Sequence, residues 1–315
     1  KTQMIKTVAS LELPVNEKLL IRKNVITPEQ VTGSEKRFCV VTGTHGDELE
    51  GQYVCYELNR RIREQIHYLK GTVEIYPALN PLGLDTITRA FPVFDVDMNR
   101  IFPGTDDGSV AELVAGMIVK DLAGADMCID VHASNIYIRE IPQVRLNEST
   151  SGSLLKYAGR LNTEFVWVHH ASTVLESTLA HTLNMIGVPT LVVEMGVGMR
   201  ITEKFCFQLV DGIFCLMKDL GIWDGPVITP KEPVVSLGGE VGFVNAEKSG
   251  LFVPKVKHRN DIKKGEIIGE IVNPLEGTVE ERLYAPCDGL IFTLRAYPMV
   301  ERGSLIARIL GGGGR

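Results

Sequence analysis

The chain has 315 residues, with 33 Lys and Arg against 39 Asp and Glu, a formal net charge of -6, and 44% hydrophobic residues. This length allows a large hydrophobic core and predicts two domains. The acidic balance argues against a nucleic-acid-binding protein. No apolar run reaches the length of a membrane span and no signal peptide is visible, which predicts a cytoplasmic protein. The six cysteines form no C-x-x-C pair, so we expect buried, reduced thiols and no cysteine-based zinc site.

The elements predicted from the pattern begin with irregular β-structure, including candidate edge strands at residues 4–13 and 19–26. From residue 38 onward, apolar strands alternate with segments of helical periodicity. The predicted strands are 38–41, 72–77, 126–131, 165–168 and 190–194, and the predicted helices are 48–68, 109–122, 149–162, 176–186 and 202–220. Ser109 as N-cap and Glu112 three residues later predict a capping box at the start of the second of these helices. This alternation indicates an α/β fold with a mostly parallel mixed sheet flanked by helices.

Two further regions differ from this alternation. The polar loop 82–107 is too long for a simple connection and is expected to carry function. Beyond residue 223, three prolines mark a linker, and the rest shows only short β-type runs and glycine turns, with 311–314 as a flexible tail. We therefore predict a catalytic α/β domain at 1–224 and a C-terminal all-β domain at 225–315. Its pattern resembles a lipoyl/biotinyl barrel-sandwich, but the carrier hairpin lacks the attachment lysine, so no attached cofactor is expected.

The first candidate functional motif is the turn that follows the strand at residues 38–41. Gly43 and Gly46 flank the turn, which presents His45 and Glu48 three residues apart. Such a pair alone also fits a surface turn with a capping acid. His132 follows another apolar strand, and strand ends at one sheet edge are where open α/β sheets bind ligands. Together the three side chains make a candidate zinc site.

A site with three protein ligands leaves one coordination position open, as in catalytic zinc centres that hold a water molecule. Such chemistry needs a proton acceptor and a cation for the developing oxyanion. Glu194 ends an apolar strand and is our candidate acceptor, although a surface Glu is the alternative. Arg89 and Arg100 lie in the long loop, where Arg can bind a carboxylate or neutralise an oxyanion, or simply remain solvated.

Together these residues resemble the succinylglutamate desuccinylase/aspartoacylase family, a branch of the zinc carboxypeptidase-like clan. The matching segments occur in family order with family-like spacing, at residues 43–48, 80–81, 95–104, 130–134 and 193–196. The resemblance implies one zinc ion per chain. It assigns zinc binding to His45, Glu48 and His132, general base and then acid catalysis to Glu194, substrate carboxylate binding to Asn99 and Arg100, and an oxyanion or substrate contact to Arg89.

The sequence therefore predicts a zinc-dependent hydrolase that cleaves the amide bond of a small N-acyl amino acid or related amide, with Glu194 deprotonating a metal-activated water. A metallocarboxypeptidase is the alternative enzyme, and the appended β domain favours the deacylase because it restricts access in related enzymes. A non-catalytic carrier or binding module is the alternative outside enzymes. The expected partner is a small-molecule substrate, without nucleic acid or membrane. The acyl group, the physiological metal and a homo-oligomeric state stay open.

Overall fold

The computed structural model describes residues 1–170, 176–237 and 240–311. The strands of the first part are β1 (Gln3–Glu12), β2 (Lys18–Ile26), β3 (Arg37–Thr42), β4 (Thr72–Tyr76), β5 (Met127–His132), β6 (Ile138–Asn147), β7 (Phe165–His169) and β8 (Thr190–Gly196). Its helices are α1 (Glu50–Glu64), α2 (Pro81–Thr86), α3 (Val110–Leu122), α4 (Glu148–Ala158), α5 (Leu179–Met185) and α6 (Glu203–Asp219).

The second part of the chain is built from strands. They are β9 (Val234–Ser236), β10 (Val241–Asn245), β11 (Gly250–Pro254), β12 (Asp261–Ile262), β13 (Ile267–Asn273), β14 (Thr278–Tyr284), β15 (Gly289–Arg295), β16 (Met299–Val300) and β17 (Leu305–Gly311). Of the predicted tail, Gly311 ends β17 and residues 312–314 lie outside the described residues.

The main sheet contains 13 strands, most of them in the order β1-β2-β4-β3-β5-β8-β6-β15-β17-β10. Its centre, β4-β3-β5-β8, is parallel. The flanking pairs β1–β2, β2–β4 and β6–β8 are antiparallel. The α/β fold class with a mixed sheet is thus confirmed. Because β3, β5 and β8 run in the same direction, their carboxyl ends meet at one edge of the sheet.

The helices cover both faces of this sheet, and the strands bury side chains on both sides. Consecutive residues of β3 point to opposite faces of the sheet and pack into different cores. Val40 packs with α1 and α6, and Val41 packs with α3 and α5. This follows from the two-residue period of a strand. Fully burying one such aliphatic side chain contributes about 1.5–3 kcal/mol. Five cysteines are buried and one is partly buried, and all six are unpaired, as predicted.

The helix boundaries agree with the sequence patterns to within a few residues at most ends. The capping box predicted for α3 is present, since Ser109 accepts from the backbone of Glu112 while the Glu112 side chain accepts from Ser109. The helix predicted at 48–68 begins two residues later and ends at Glu64, followed by a short 3₁₀ turn. The long loop contains α2 and a single turn at Met98–Arg100.

Strand β6 was not predicted. Its sequence lacks clean alternation because Glu140 and Gln143 are both buried, and Pro142 lies between them. The pairing with β8 shifts register between these two residues, which is a position where a strand tolerates proline. This strand matters for the rest of the molecule, because it hydrogen-bonds to β8 on one side and to β15 on the other.

The C-terminal strands divide between two sheets. β14, β13, β11 and β16 form a separate four-stranded sheet, whereas β15, β17 and β10 continue the main sheet through β6. Phe292 of β15 also packs on Phe165 and Trp167 of the first part, with ring centroids 4.9 and 5.6 Å away. The domain boundary at residue 225 stays a prediction. Among the described residues, no helix has the length and apolarity needed to cross a membrane.

We expect the two parts of the chain to unfold together, because they share a sheet and a buried aromatic contact. The chain has two tryptophans, Trp167 and Trp223, and both precede residue 225. A Tyr284→Trp variant places a third reporter on the exposed face of β14. Urea titrations of both proteins should give coincident fluorescence and circular dichroism transitions. A resolved second transition in the variant would instead show that the region after residue 225 unfolds on its own.

Candidate metal centre and catalytic site

The turn after β3 is held by close backbone packing. Gly43 has a φ of 70°, and a Cβ there would lie 2.8 Å from the carbonyl oxygen of Pro77. A Cβ on Gly46 would lie 1.9 Å from the carbonyl carbon of Gly83 in α2. Both positions therefore require glycine. This packing brings His45 and the following acid to the edge of the sheet where β5 ends.

Glu48 lies at the centre of the candidate metal centre and contacts both histidines. Its Oε1 is 2.8 Å from Nδ1 of His45, and its Oε2 is 3.1 Å from Nδ1 of His132. All three side chains are buried, and one potential ligand atom from each lies within 4.8 Å of the others. Two imidazoles and one carboxylate are a ligand set typical of catalytic zinc. The three residues thus fit one divalent cation.

Each histidine has an acid on its other ring nitrogen. Asp97 Oδ1 lies 3.0 Å from Nε2 of His45 and is within hydrogen-bonding geometry. Asp130 Oδ1 also lies 3.0 Å from Nε2 of His132, although these two atoms are not aligned for a hydrogen bond. Such carboxylates commonly orient metal-binding histidines and make them better ligands. The arrangement leaves Nδ1 of both rings directed at Glu48.

The electrostatic surroundings favour positive charge at this place. Burial opposes the charged form of His132, but Asp130 and Glu48 outweigh burial and raise the pKa of the imidazole well above its ordinary value. For His45, burial is likewise outweighed by Asp97 and Glu48, and the pKa rises. Since three carboxylates surround the two imidazoles, the electrostatic potential at this site is negative and would stabilise a bound cation.

Arg89 extends from the long loop to the same group of residues. Its Nη1 lies 3.2 Å from Oε1 of Glu48 and 3.2 Å from the carbonyl oxygen of Ser134. Its Nε is 3.4 Å from Oδ2 of Asp97. The guanidinium is therefore held beside the candidate metal ligands, and the Arg89 side chain is 39% exposed to solvent.

Glu194 lies on β8, directly across from His132 on β5. Its Oε2 accepts a 2.6 Å hydrogen bond from the backbone nitrogen of Ser134, and its Oε1 lies 3.9 Å from Nη1 of Arg145. Burial raises the pKa of Glu194 above its ordinary value, although Arg145 and His132 act in the opposite direction. The structure thus places a carboxylate with an elevated pKa next to the candidate metal centre, as expected for a general base.

A cavity of about 470 Å³ opens over these residues, a volume suited to a small molecule. Asn99 and Arg100 contribute to its wall. Oδ1 of Asn99 accepts from the backbone nitrogen of Leu179, at a distance of 2.9 Å. Arg100 is exposed, and its Nη1 donates to the carbonyl oxygen of Asn99 at 2.9 Å. The amide nitrogen of Asn99 and the guanidinium of Arg100 are thus donors at the cavity wall.

All seven residues predicted for the site lie around this one cavity, and their individual roles stay predictions. Sequence analysis missed three others. Asp130 precedes His132 by two residues on the same strand, so the period of a strand alone places both on one face. Asp97 lies in segment 95–104, which resembles the family, but we predicted no role for this residue. Arg145 lies on β6, which was not predicted. His169, at the end of β7, is also partly buried at the cavity wall.

The fold and the ligand set define the class of this protein: an α/β protein with a candidate mononuclear metal centre at the carboxyl ends of a mixed sheet. Residues 34–220, more than half of the chain, match the succinylglutamate desuccinylase/aspartoacylase catalytic domain. The chain therefore belongs to the succinylglutamate desuccinylase/aspartoacylase family, which confirms the resemblance seen in the sequence.

The similarity to individual relatives covers nearly the whole chain. An N-alpha-acetyl-L-2,4-diaminobutyric acid deacetylase of Halomonas elongata is 26% identical over 317 aligned positions, covering 95% of this chain and 90% of the relative. A succinylglutamate desuccinylase/aspartoacylase structure from Rhodobacter sphaeroides has a TM-score of 0.80 at 22% identity, with coverage of 98% and 95%. Product-bound ectoine utilization protein EutE (DoeB) of Ruegeria pomeroyi gives 0.80 at 19%, with the same coverage. These structures support the fold.

The first site prediction concerns metal content. His45→Ala and His132→Ala should each weaken metal binding by at least about 100-fold, because a direct ligand is lost, and Asp130→Asn by about 10–100-fold, because only the orienting acid is lost. Metal analysis and competition with a chelator measure both effects. His181→Ala is the matched control, since His181 lines the cavity outside the candidate ligand group. Full metal retention in both ligand variants would refute the site.

Proposed function

We propose that this protein is a zinc-dependent hydrolase that cleaves the amide bond of a small N-acyl amino acid or related amide. The observation that carries this proposal is the position of Glu194. This carboxylate lies next to His132, one of three residues that fit a zinc ion, and it is held there by a backbone hydrogen bond. The deacetylase of Halomonas elongata, which is similar over almost the whole chain, supports the choice of an amide.

His45, Glu48 and His132 would hold the metal, which when bound supplies a Lewis acid that polarises a carbonyl and acidifies water. Asp97 orients the imidazole of His45 through a hydrogen bond, and the carboxylate of Asp130 lies 3.0 Å from Nε2 of His132, where it would stabilise that ring electrostatically. Amide hydrolysis then needs a group that takes a proton from the attacking water and returns one to the leaving amine. Glu194 can do both, because burial raises its pKa while the backbone of Ser134 keeps its carboxylate in one orientation.

Charge develops on the carbonyl oxygen as the water adds to the amide carbon. We assign the stabilisation of this charge to Arg89, whose Nη1 lies 3.2 Å from Oε1 of the proposed ligand Glu48. The amide nitrogen of Asn99 and the guanidinium of Arg100 are donors for the substrate carboxylate. Fixing that carboxylate orients the amide toward Glu194 and so lowers the entropic part of the barrier.

A metallocarboxypeptidase would use the same ligands and also bind a free carboxylate. The two activities differ in the acyl part, which is a short acyl group in one case and a peptide in the other. The cavity volume of about 470 Å³ favours a small substrate. Activity on dipeptides that exceeds activity on N-acyl amino acids would favour the peptidase. Metal-dependent turnover of any substrate would exclude the alternative that this protein is a binding module without catalysis.

The proposal is tested with metal-loaded protein and a panel of N-acetyl, N-succinyl and N-formyl amino acids. We expect release of the free amino acid from at least one member. Glu194→Gln should lower kcat by about 10²–10⁴-fold, because the proton acceptor is lost while the three metal ligands stay. Amine release and metal content are measured together on the same preparations.

Glu64→Gln is the control for this variant, because Glu64 is an exposed acid on α1 that pairs with Arg60 away from the cavity. It should keep normal turnover. Near-normal turnover of Glu194→Gln with full metal content would refute the mechanism. Asp47, His169 and His170 are then the candidates for a different base.

A separate prediction concerns substrate binding. Arg100→Ala should raise KM by at least about tenfold with a smaller change in kcat, because a charge-assisted contact to the substrate carboxylate is lost. Arg63→Ala is the control, since it removes an arginine from the last turn of α1. An unchanged KM in Arg100→Ala would place carboxylate binding elsewhere in the cavity.

A further inference from the structure

Ser134 follows β5 and connects two residues of the proposed reaction through its backbone. Its N–H donates to Oε2 of Glu194 at 2.6 Å, and its carbonyl oxygen accepts from Nη1 of Arg89 at 3.2 Å. The Ser134 hydroxyl has no hydrogen-bond partner within residues 1–170, 176–237 and 240–311. The proposed general base and the proposed oxyanion contact are therefore joined by the main chain of a single residue, and not by its side chain.

The backbone of Ser134 lies in the left-handed region, with a φ of 57°. Residues other than glycine rarely adopt this region, because their Cβ approaches a neighbouring carbonyl oxygen. In an extended strand, the N–H and C=O of one residue face the same neighbouring strand. At Ser134 the N–H reaches Glu194 on β8, while the C=O reaches Arg89 from the loop after β4, and β5 lies between β8 and β4 in the sheet. The change from extended to left-handed backbone thus lets one residue contact groups on both sides of its strand.

Contacts on both sides of Ser134 hold it in this conformation. Before it, the backbone nitrogen of Ala133 donates to Oε2 of Glu48 at 3.1 Å. After it, the carbonyl oxygen of Asn135 accepts from the backbone nitrogen of Gly198 at 2.8 Å. A Cβ on Gly198 would lie 2.9 Å from the carbonyl carbon of Asn135, so the loops after β5 and β8 approach closely. The surrounding structure therefore offsets the unfavourable φ, as expected where a strained residue serves a function.

We propose, resting on the function proposed above, that Ser134 is a positioning residue whose left-handed backbone orients both Glu194 and Arg89 toward the reacting amide. Its N–H fixes the carboxylate that exchanges protons, and its C=O fixes the guanidinium that stabilises the oxyanion. Both groups act in the transition state, where a small displacement lowers the rate. Because the role belongs to the main chain, the residue type at position 134 matters through the conformations that it allows.

Two substitutions separate the backbone of Ser134 from its hydroxyl. Ser134→Gly removes the hydroxyl but adopts a positive φ without strain, whereas Ser134→Thr keeps a hydroxyl but is β-branched and disfavours that region. Ser134→Thr should lower kcat at least about tenfold while KM changes less than about twofold, because the substrate carboxylate is assigned to Asn99 and Arg100. Ser134→Gly should keep kcat at least about tenfold above that of Ser134→Thr. The reverse order would overturn the inference, because it would assign the role to the hydroxyl.

Asn16→Thr is the matched control for strain. Asn16 also has a positive φ, of 63°, and it lies in the exposed turn between β1 and β2, outside the cavity. Like Ser134→Thr, this variant places a β-branched residue in the left-handed region and should lower the melting temperature. It should leave kcat and metal content unchanged. A fall in kcat for Ser134→Thr alone would then be specific to its position beside the two reacting groups.

Combined variants test whether Ser134 acts through Glu194 and Arg89. In Glu194→Gln and in Arg89→Ala, one contact of Ser134 is already lost or weakened. Adding Ser134→Thr to either variant should therefore lower kcat at least about threefold less than it does in the wild-type protein. The same fold-loss in both backgrounds as in the wild type would show that Ser134→Thr impairs the protein independently of these residues, and it would overturn the inference. Thermal unfolding checks that each variant is folded.

Amide hydrogen exchange tests the positioning contact without requiring turnover. In metal-loaded protein, the protection factor of the residue 134 amide, followed by NMR, should fall at least about tenfold in Glu194→Ala, because the acceptor of its hydrogen bond is lost. Ser134→Thr should show a similar fall, and Ser134→Gly should keep the protection. Equal protection in all four proteins would refute the contact and the inference with it.

The outcomes also distinguish this inference from the proposed function. If amide protection follows the expected order while no N-acyl amino acid is hydrolysed, the positioning contact is supported and the proposed function fails. If N-acyl amino acids are hydrolysed but Ser134→Thr is more active than Ser134→Gly, the proposed function is supported and the role of the backbone is refuted. If Ser134→Thr does not fold, Ser134→Ala is compared with Ser134→Gly, since both lack the hydroxyl. Retained kcat and amide protection in both support the inference, and an equal loss in both refutes it.

Discussion

The interaction on which the site depends is the position of one buried carboxylate between two imidazoles. Each oxygen of Glu48 faces one histidine, so the side chain sets the distance between the turn after β3 and the end of β5. Burying three ionisable groups together is costly unless each is paired, and here Asp97 and Asp130 supply the further partners. The network favours a cation at its centre, so the same contacts that hold the turn form a group of side chains that could bind a metal.

Much of the fold was predictable because its elements have regular periodicity. Strands β3, β5 and β8 are short apolar runs, and parallel pairing brings their carboxyl ends together, which is why His45, His132 and Glu194 could be placed at one edge. The capping box of α3 could be predicted from the sequence because it depends on two residues three positions apart. Local rules of this kind need no knowledge of distant contacts.

The parts that were missed depend on contacts between distant residues. β6 buries Glu140 and Gln143, and nothing nearby in sequence shows that Arg308, more than 160 residues away, supplies a partner for the first of them. The local pattern therefore looked too polar for a strand. The same limit applies to Asp97, which reaches His45 from the middle of a long loop. Irregular loops have no periodicity from which such a contact could be predicted.

The shared strand pairing between β6 and β15 bears on how readily this architecture can be recombined. The C-terminal strands contribute Arg308 and Thr293 to an acid that belongs to the first part of the chain. A chimera that replaces everything after residue 225 with the corresponding region of a distant relative would bring a new set of partners to Glu140. Exchange of the C-terminal region is thus constrained by β6, and the two should be transplanted as a single unit even though they are separated in the sequence.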